Sequence, residues 1–382
     1  MRIRDAAEQA VRAWNQHELA RGAPPIIDYD FYPPTSANEI EPVDRLSTLF
    51  RLRALRADCT ETVVAQRIDA DSAYLRALIG ERIPLDDYVR ATQGCPATGW
   101  DAEYVTECGR VAQGCLDDAG IGWGPEAMTE LAAAEGPIDP ANAPEAIRAA
   151  AADYESAVRT VTGSDAPYRL TIETAEVDAY WAYWLDGAGN RVRLRLNTRN
   201  AQYTEVRARQ FALHEILGHG LQSASMAARC AEEDVPWVRL LSVHGPQQVL
   251  LEGWAQAMPL FVAPDDRELA MRVRLDHYTQ LVRAELHLSL ERGAPIEECA
   301  DLARRRVPWW SDRYIADALA DRGTNPQLRS YLWAYAAGID WFVHLAAAPP
   351  STVDTVLRAA YRAPLTPAEL CDLWPEGPSI GG

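Results

Sequence analysis

Apolar residues recur at helical spacing through residues 1–160, as Ala7, Ala10, Val11 and Trp14 do in the opening MRIRDAAEQAVRAWNQ. Proline and glycine punctuation at GAPPIIDYDFYPP, ATQGCPATG and AEGPIDPANAP divides this run into a stack of separate helices. The texture changes at 166. PYRLTIETAEVDAYWAYWLDGAGNRVRLRLNTRN is rich in β-branched and aromatic residues, and NRVRLRLN alternates strictly. Val192, Leu194 and Leu196 point one way, Arg191, Arg193 and Arg195 the other, which predicts a small antiparallel sheet with a hairpin at DGAGN. Helical patterns resume near 203 and run to the end, with breaks near 264, 294, 323 and 349. The expectation is a mainly α protein with one short sheet immediately before the helix that starts near 203. Residues 1–165 form an N-terminal helical region and 166–382 a second region, together one two-lobed unit with a cleft between the halves.

Composition narrows the partners. The formal charge is −18, and all 37 basic residues are arginine. Phosphate binding needs a basic footprint, so nucleic acid and anionic membrane surfaces are excluded as expected partners, leaving small molecules or peptides. No stretch approaches the roughly 20 apolar residues that cross a bilayer. The opening reads as an amphipathic helix and not as a charged head followed by an apolar run, and the seven cysteines include no CxxC pair. A cytoplasmic protein with reduced cysteines is the expectation; the sequence leaves the oligomeric state open.

The chemistry is concentrated in LHEILGHGLQ, residues 213–222. Successive helical residues turn by about 100°, so positions four apart nearly eclipse whereas positions five apart diverge by about 140°. His214 and His219 are five apart and would miss a common ion on a regular helix. One wider turn, closed by an i→i+5 hydrogen bond, realigns them, and such π-bulges occur disproportionately at functional sites. Gly218 eases that distortion because it has no side chain to clash. Two imidazoles on one face suit zinc, which needs a third protein ligand and one open position in a catalytic site. Glu252 in VLLEGWAQAM is the best third ligand, because a carboxylate among Val249, Leu250, Leu251, Trp254, Ala255 and Met258 is expensive to bury without a cation. Glu232 and Glu233 are nearer, but AEEDVP reads as a solvated segment. Glu215, adjacent to the first histidine, is placed as the general base for a metal-activated water.

HEILGH resembles the HELLGH motif of dipeptidyl peptidase III, in which two histidines and a later glutamate hold zinc. GHGLQ at 218–222 and EGWA at 252–255 resemble, in the same order, elements of a largely uncharacterised bacterial family described as zinc peptidases. AELHLSLERGAPIEECADLA at 284–303, DRYI at 312–315 and PQLRSY at 326–331 extend the likeness, which covers most of residues 166–345. The resemblance implies a two-lobed helical metallopeptidase-like fold, one Zn²⁺ ion held by His214, His219 and Glu252, and hydrolysis of an amide or peptide bond in a short or modified peptide. It also nominates His287 and Tyr331 as oxyanion donors and Arg313, Tyr314, Gln327 and Arg329 as substrate-binding residues. This chain departs from the family pattern in three places. HEILGH is one residue shorter than the family's HE-to-GH spacing, Arg283 stands where an acidic residue is usual, and the stretch between Tyr314 and Pro326 carries an insertion.

Several positions keep two readings. His287 reads equally as a core histidine, Tyr331 as packing with Trp333 and Tyr335, and His244 as an ordinary loop histidine or a support for the metal ligands. Arg313 and Arg329 are candidates for a substrate carboxylate, while Arg304, Arg305 and Arg306 read as a solvated face. The predicted sheet is either a rail that binds extended substrate by strand addition or a cover for the core. Two other functions stay open: a metalloenzyme of specialised metabolism with a non-peptide substrate, and a non-catalytic metal-binding relative.

Overall fold

The computed structural model describes residues 2–34, 40–177, 182–199 and 202–382. It is mainly helical with one small sheet, as the patterning predicts. Part of the stretch predicted as sheet, residues 178–181, lies outside the described residues.

The sheet is mixed and not antiparallel. Its five strands are β1 (Tyr29–Asp30), β2 (Arg169–Ala175), β3 (Tyr183–Ala188), β4 (Arg191–Asn197) and β5 (Leu240–Leu241), in the order β2-β4-β3-β1-β5. The expected hairpin is there: β3 and β4 pair antiparallel, with Gly189 at φ 60° in the turn. β2, however, adds to the far side of β4 in parallel register, Leu170 opposite Val192 and Ile172 opposite Leu194. β1 runs parallel to β3, and β5 antiparallel to β1. Two-residue strands are too short to show a period of two in sequence, so β1 and β5 left no readable signal. The alternation in β4 is obeyed: Val192, Leu194 and Leu196 are buried, and Arg191 and Arg193 are exposed.

The helix that follows the sheet is continuous from 205 to 232 and changes character in its middle. Glu205–Phe211 is α-helical, with the Thr204 side chain capping the N–H of Arg207. Ala212–Gly220 is π-helical, and Leu221–Glu232 is α-helical again. The N–H of Leu221 bonds the carbonyl of Ile216, the i→i+5 closure expected of a widened turn. The distortion is longer than the one turn the histidine spacing predicts.

This helix packs against Gln248–Ala257, which packs in turn against Pro326–Leu345. The second contact is backbone against backbone. A Cβ on Gly338 would lie 2.3 Å from the Val249 carbonyl oxygen, and one on Gly253 would lie 2.5 Å from Gly338 Cα. The glycine of EGWA is therefore a packing requirement that lets the two helices touch. Trp254 adds a tether. Its indole N–H donates to Tyr361 (3.0 Å), whose hydroxyl donates to the Leu217 carbonyl of the π-helical segment (2.6 Å).

One apolar cluster includes Leu213, Ile216 and Leu217, Val249, Leu250 and Trp254, and Trp333 and Trp341, together with Ile147 and Val158 from before residue 165. Among the described residues, no helix is long and apolar enough to cross a membrane. Replacement of Gly338 by alanine forces backbone atoms apart, and overpacking of this kind costs about 1–3 kcal/mol. A lowered urea midpoint with an unchanged slope is the expected result for Gly338→Ala.

Candidate metal centre

The π-helical segment brings the two histidines together. His214 Nε2 and His219 Nε2 lie 3.2 Å apart, with their rings nearly perpendicular at 87°. The neighbouring helix supplies Glu252, whose carboxylate oxygens are 3.6 Å from His214 Nε2 and 3.7 Å from His219 Nε2. One ligand atom from each of the three residues falls within 4.8 Å of the other two. Gly218 is required here: a Cβ would meet the Leu213 carbonyl oxygen at 2.9 Å and Ala255 Cβ at 3.0 Å. Both the widened turn and the approach of the Glu252 helix depend on its bareness.

Electrostatics follow from burial. His214 is pushed down to about 3, by burial first and then by His219 beside it. Burial disfavours the charged form of His219 as well, yet Glu252 and Glu215 outweigh it and raise its pKa. Burial works against ionisation of Glu252, but His219, His214 and the Tyr331 hydroxyl hold its carboxyl below the usual range. Glu215, whose Oε1 lies 3.6 Å from His214 Nε2, is lifted to about 7 by burial. Glu252 Oε2 is buried and has no hydrogen-bond partner among the described residues. A buried acceptor left unmatched is costly, and a cation between the two imidazoles would satisfy it.

Tyr331, on Pro326–Leu345, donates its hydroxyl proton to Glu252 Oε1 and accepts from the Tyr335 hydroxyl at 3.0 Å. Both tyrosines line a cavity of about 160 Å³ together with His214, Glu215, His219, Glu252 and Gln327. The sequence-predicted His214, Glu215, His219, Glu252, Gln327 and Tyr331 are thus brought to one place.

The remaining candidates are elsewhere. His287 is buried in the core, accepting the Trp333 indole N–H at 2.9 Å, and does not line the cavity. The Arg313 side chain is 91% exposed and pairs loosely with Asp317 at 3.9 Å. Tyr314 bonds Arg283, whose guanidinium also lies over the Trp310 ring. Arg329 is buried against Glu291 (2.9 Å) and the Ile83 carbonyl (2.9 Å). His244 pairs with Asp71 at 2.7 Å and stacks on Tyr74, so it belongs to a buried network. Arg329 is spent on structural partners, which spacing alone does not reveal.

The sheet supplies the opposite wall, where Tyr183, Trp184 and Leu185 of β3 line the cavity. Gly187 donates to the Asp28 carbonyl (3.3 Å), and Asn197 donates to the Ala182 carbonyl (2.8 Å). Odd-numbered residues of β3 therefore turn their backbone groups toward β1, and even-numbered ones toward β4. Along β3, β1 pairs only with Gly187 and Ala188. Among the described residues, the backbone groups of Tyr183 and Leu185 consequently have no strand partner on that edge. Sequence reasoning missed Tyr183, Trp184 and Asp28, all of which line the cavity. A carboxylate between apolar neighbours in PIIDYDF was the available signal for Asp28, of the same kind that singled out Glu252.

No protein-family model matches the chain, and no curated protein matches it. A solved structure described as "the putative lipoprotein from Colwellia psychrerythraea" is similar in fold, with a TM-score of 0.55 over 85% of this chain at 12% identity. The alignment spans 57% of that protein's length, and at this identity the likeness concerns the fold alone.

Outer partners of metal ligands contribute 10–100-fold in affinity. If this centre holds zinc, Tyr331→Phe is expected to lower zinc affinity, measured by competition with a chromophoric chelator, by about that factor, while the far-UV circular dichroism stays unchanged.

Proposed function

We propose that this protein is a zinc-dependent hydrolase that cleaves an amide or peptide bond in a short or modified peptide. The observation that carries this reading is the convergence of His214, His219 and Glu252 in one cavity with Glu215 beside them. Two imidazoles and one carboxylate are a donor set suited to zinc with a position left open, and the unpartnered Oε2 of Glu252 fits an ion there. When bound, zinc supplies a Lewis acid that makes water a competent nucleophile near neutral pH.

The protein's own residues do the rest. Glu215 accepts a proton from the attacking water and delivers it to the leaving amine. Tyr331 fixes the Glu252 carboxylate in place, and Tyr335 fixes the Tyr331 hydroxyl. The open edge of β3 at Tyr183 and Leu185 favours a peptide over a non-peptide substrate, since an extended chain can add to it through backbone hydrogen bonds. A cytoplasmic setting belongs to the same reading, as the seven cysteines are all free.

Purified protein is expected to carry one zinc per chain by mass spectrometry and to cleave members of a panel of short peptides with free and blocked termini. Glu215→Gln should keep the zinc and lose about 10²–10⁴-fold in kcat. Absence of zinc, or unchanged turnover in Glu215→Gln, would sink the assignment.

A further inference from the structure

The cavity contains a third carboxylate that the proposed chemistry leaves unused. Asp28 directly precedes β1 and lines the same cavity as Glu215 and Glu252. The Val243 backbone N–H favours its ionised form, but Oδ2 meets no donor among the described residues. Arg67, whose field reaches it, is already engaged by Asp71 (3.1 Å), by the Leu240 carbonyl and by Ser242 Oγ (2.7 Å). Among the described residues, no arginine lines the cavity. Burial lifts the Asp28 carboxyl to about 7, as expected for a group whose charge finds no counterpart.

The charge balance of the site points the same way. A divalent ion offsets Glu252 and Glu215, the imidazoles being neutral as ligands. Asp28 then remains without a charge partner, and a ligand that brings a cation would both meet the unpartnered Oδ2 and favour the ionised carboxylate.

The position of Asp28 on the sheet says which cation. Tyr183 and Leu185 offer their backbone groups along the open edge of β3, and the next group on that edge, the Gly187 N–H, is taken by the Asp28 carbonyl. Ile26 and Ile27 do not continue along β3; their N–H groups bond Asn15 Oδ1 at 2.8 and 3.2 Å. An extended peptide lying on this edge therefore stops at Asp28. If it runs antiparallel to β3, the end that stops there is its amino terminus.

We infer that Asp28 binds the free α-amino group of a peptide substrate, where β1 closes the open edge of β3. The inference rests on the peptide-hydrolase reading but concerns a separate group. It makes the protein selective for peptides entered from the amino end.

The test is equilibrium binding by calorimetry to zinc-loaded Glu215→Gln protein, with trialanine and N-acetyl-trialanine as probes. Charge-assisted hydrogen bonds of this kind correspond to about a 10- to 100-fold preference for trialanine. Adding Asp28→Asn should bring the ratio of the two dissociation constants close to one. No binding of trialanine, equal binding of both probes, or a preference that survives Asp28→Asn overturns the inference. Should Asp28→Asn fail to fold, the two probes on the first protein decide alone. Wild-type turnover separates this inference from the reading it rests on. Hydrolysis of both peptides without preference removes the amine site and leaves the hydrolase, whereas preferential trialanine binding with neither peptide hydrolysed does the reverse.

Discussion

The burial of the Glu252 carboxylate constrains the rest of the site. A carboxylate in an apolar helix is stable only if something meets it, and two imidazoles and a phenol do so here. Each of those partners imposes a demand on the backbone. The imidazoles need a π-helical segment because they are five residues apart, and that segment needs Gly218 to lie against Ala255. The phenol needs Pro326–Leu345 to approach within backbone contact, which Gly253 and Gly338 permit. Three helices are thus held in register around one charged group.

Buried polar networks away from the centre stiffen its surroundings. Asp340 collects hydrogen bonds from the Trp100 indole, the Tyr104 hydroxyl and His277, joining the helix that contains Tyr331 to two others. Arg272 and Glu135 form a buried pair, and Asp71 is met by both Arg67 and His244. Arg67 also reaches the β5 carbonyl of Leu240, so the strand beside the cavity is tied to an N-terminal helix. Buried networks of this kind restrict the arrangements open to the elements they join. The cavity walls are therefore prepared before any ligand arrives, which is what a preorganised polar site requires.

How much of this was legible in the sequence depends on whether the signal was local. The histidine spacing with Gly218, the carboxylate in VLLEGWAQAM and the alternation of β4 each lie within about ten residues, and each led to the right place in the fold. Tyr331 emerged from the likeness of PQLRSY to a known motif, and the structure sets it against Glu252. Signals that rest on pairing between distant segments were not legible. The two-residue strands β1 and β5 exist because each finds a partner far away in the chain. Arg329 and Tyr314 are engaged by Glu291 and Arg283, whose proximity no periodicity encodes. The parallel placement of β2 beside β4 depends on a connection that alternation does not describe.

The wall opposite the proposed ion gives the site its selectivity on this reading. A strand edge binds any extended chain through its backbone and so discriminates little among side chains. Discrimination must then come from the ends of the chain or from charge. A formal charge of −18 on the whole protein favours approach of a cationic end over an anionic one. Long-range steering and the local carboxylate act in the same direction, and both oppose entry of a free carboxylate end first. A short edge that stops at Gly187 adds a length limit, because a chain that cannot pass Asp28 is held in register by its own terminus. On this reading, backbone recognition, end charge and a fixed stop act together to hold a peptide by its amino terminus without a pocket for any particular side chain.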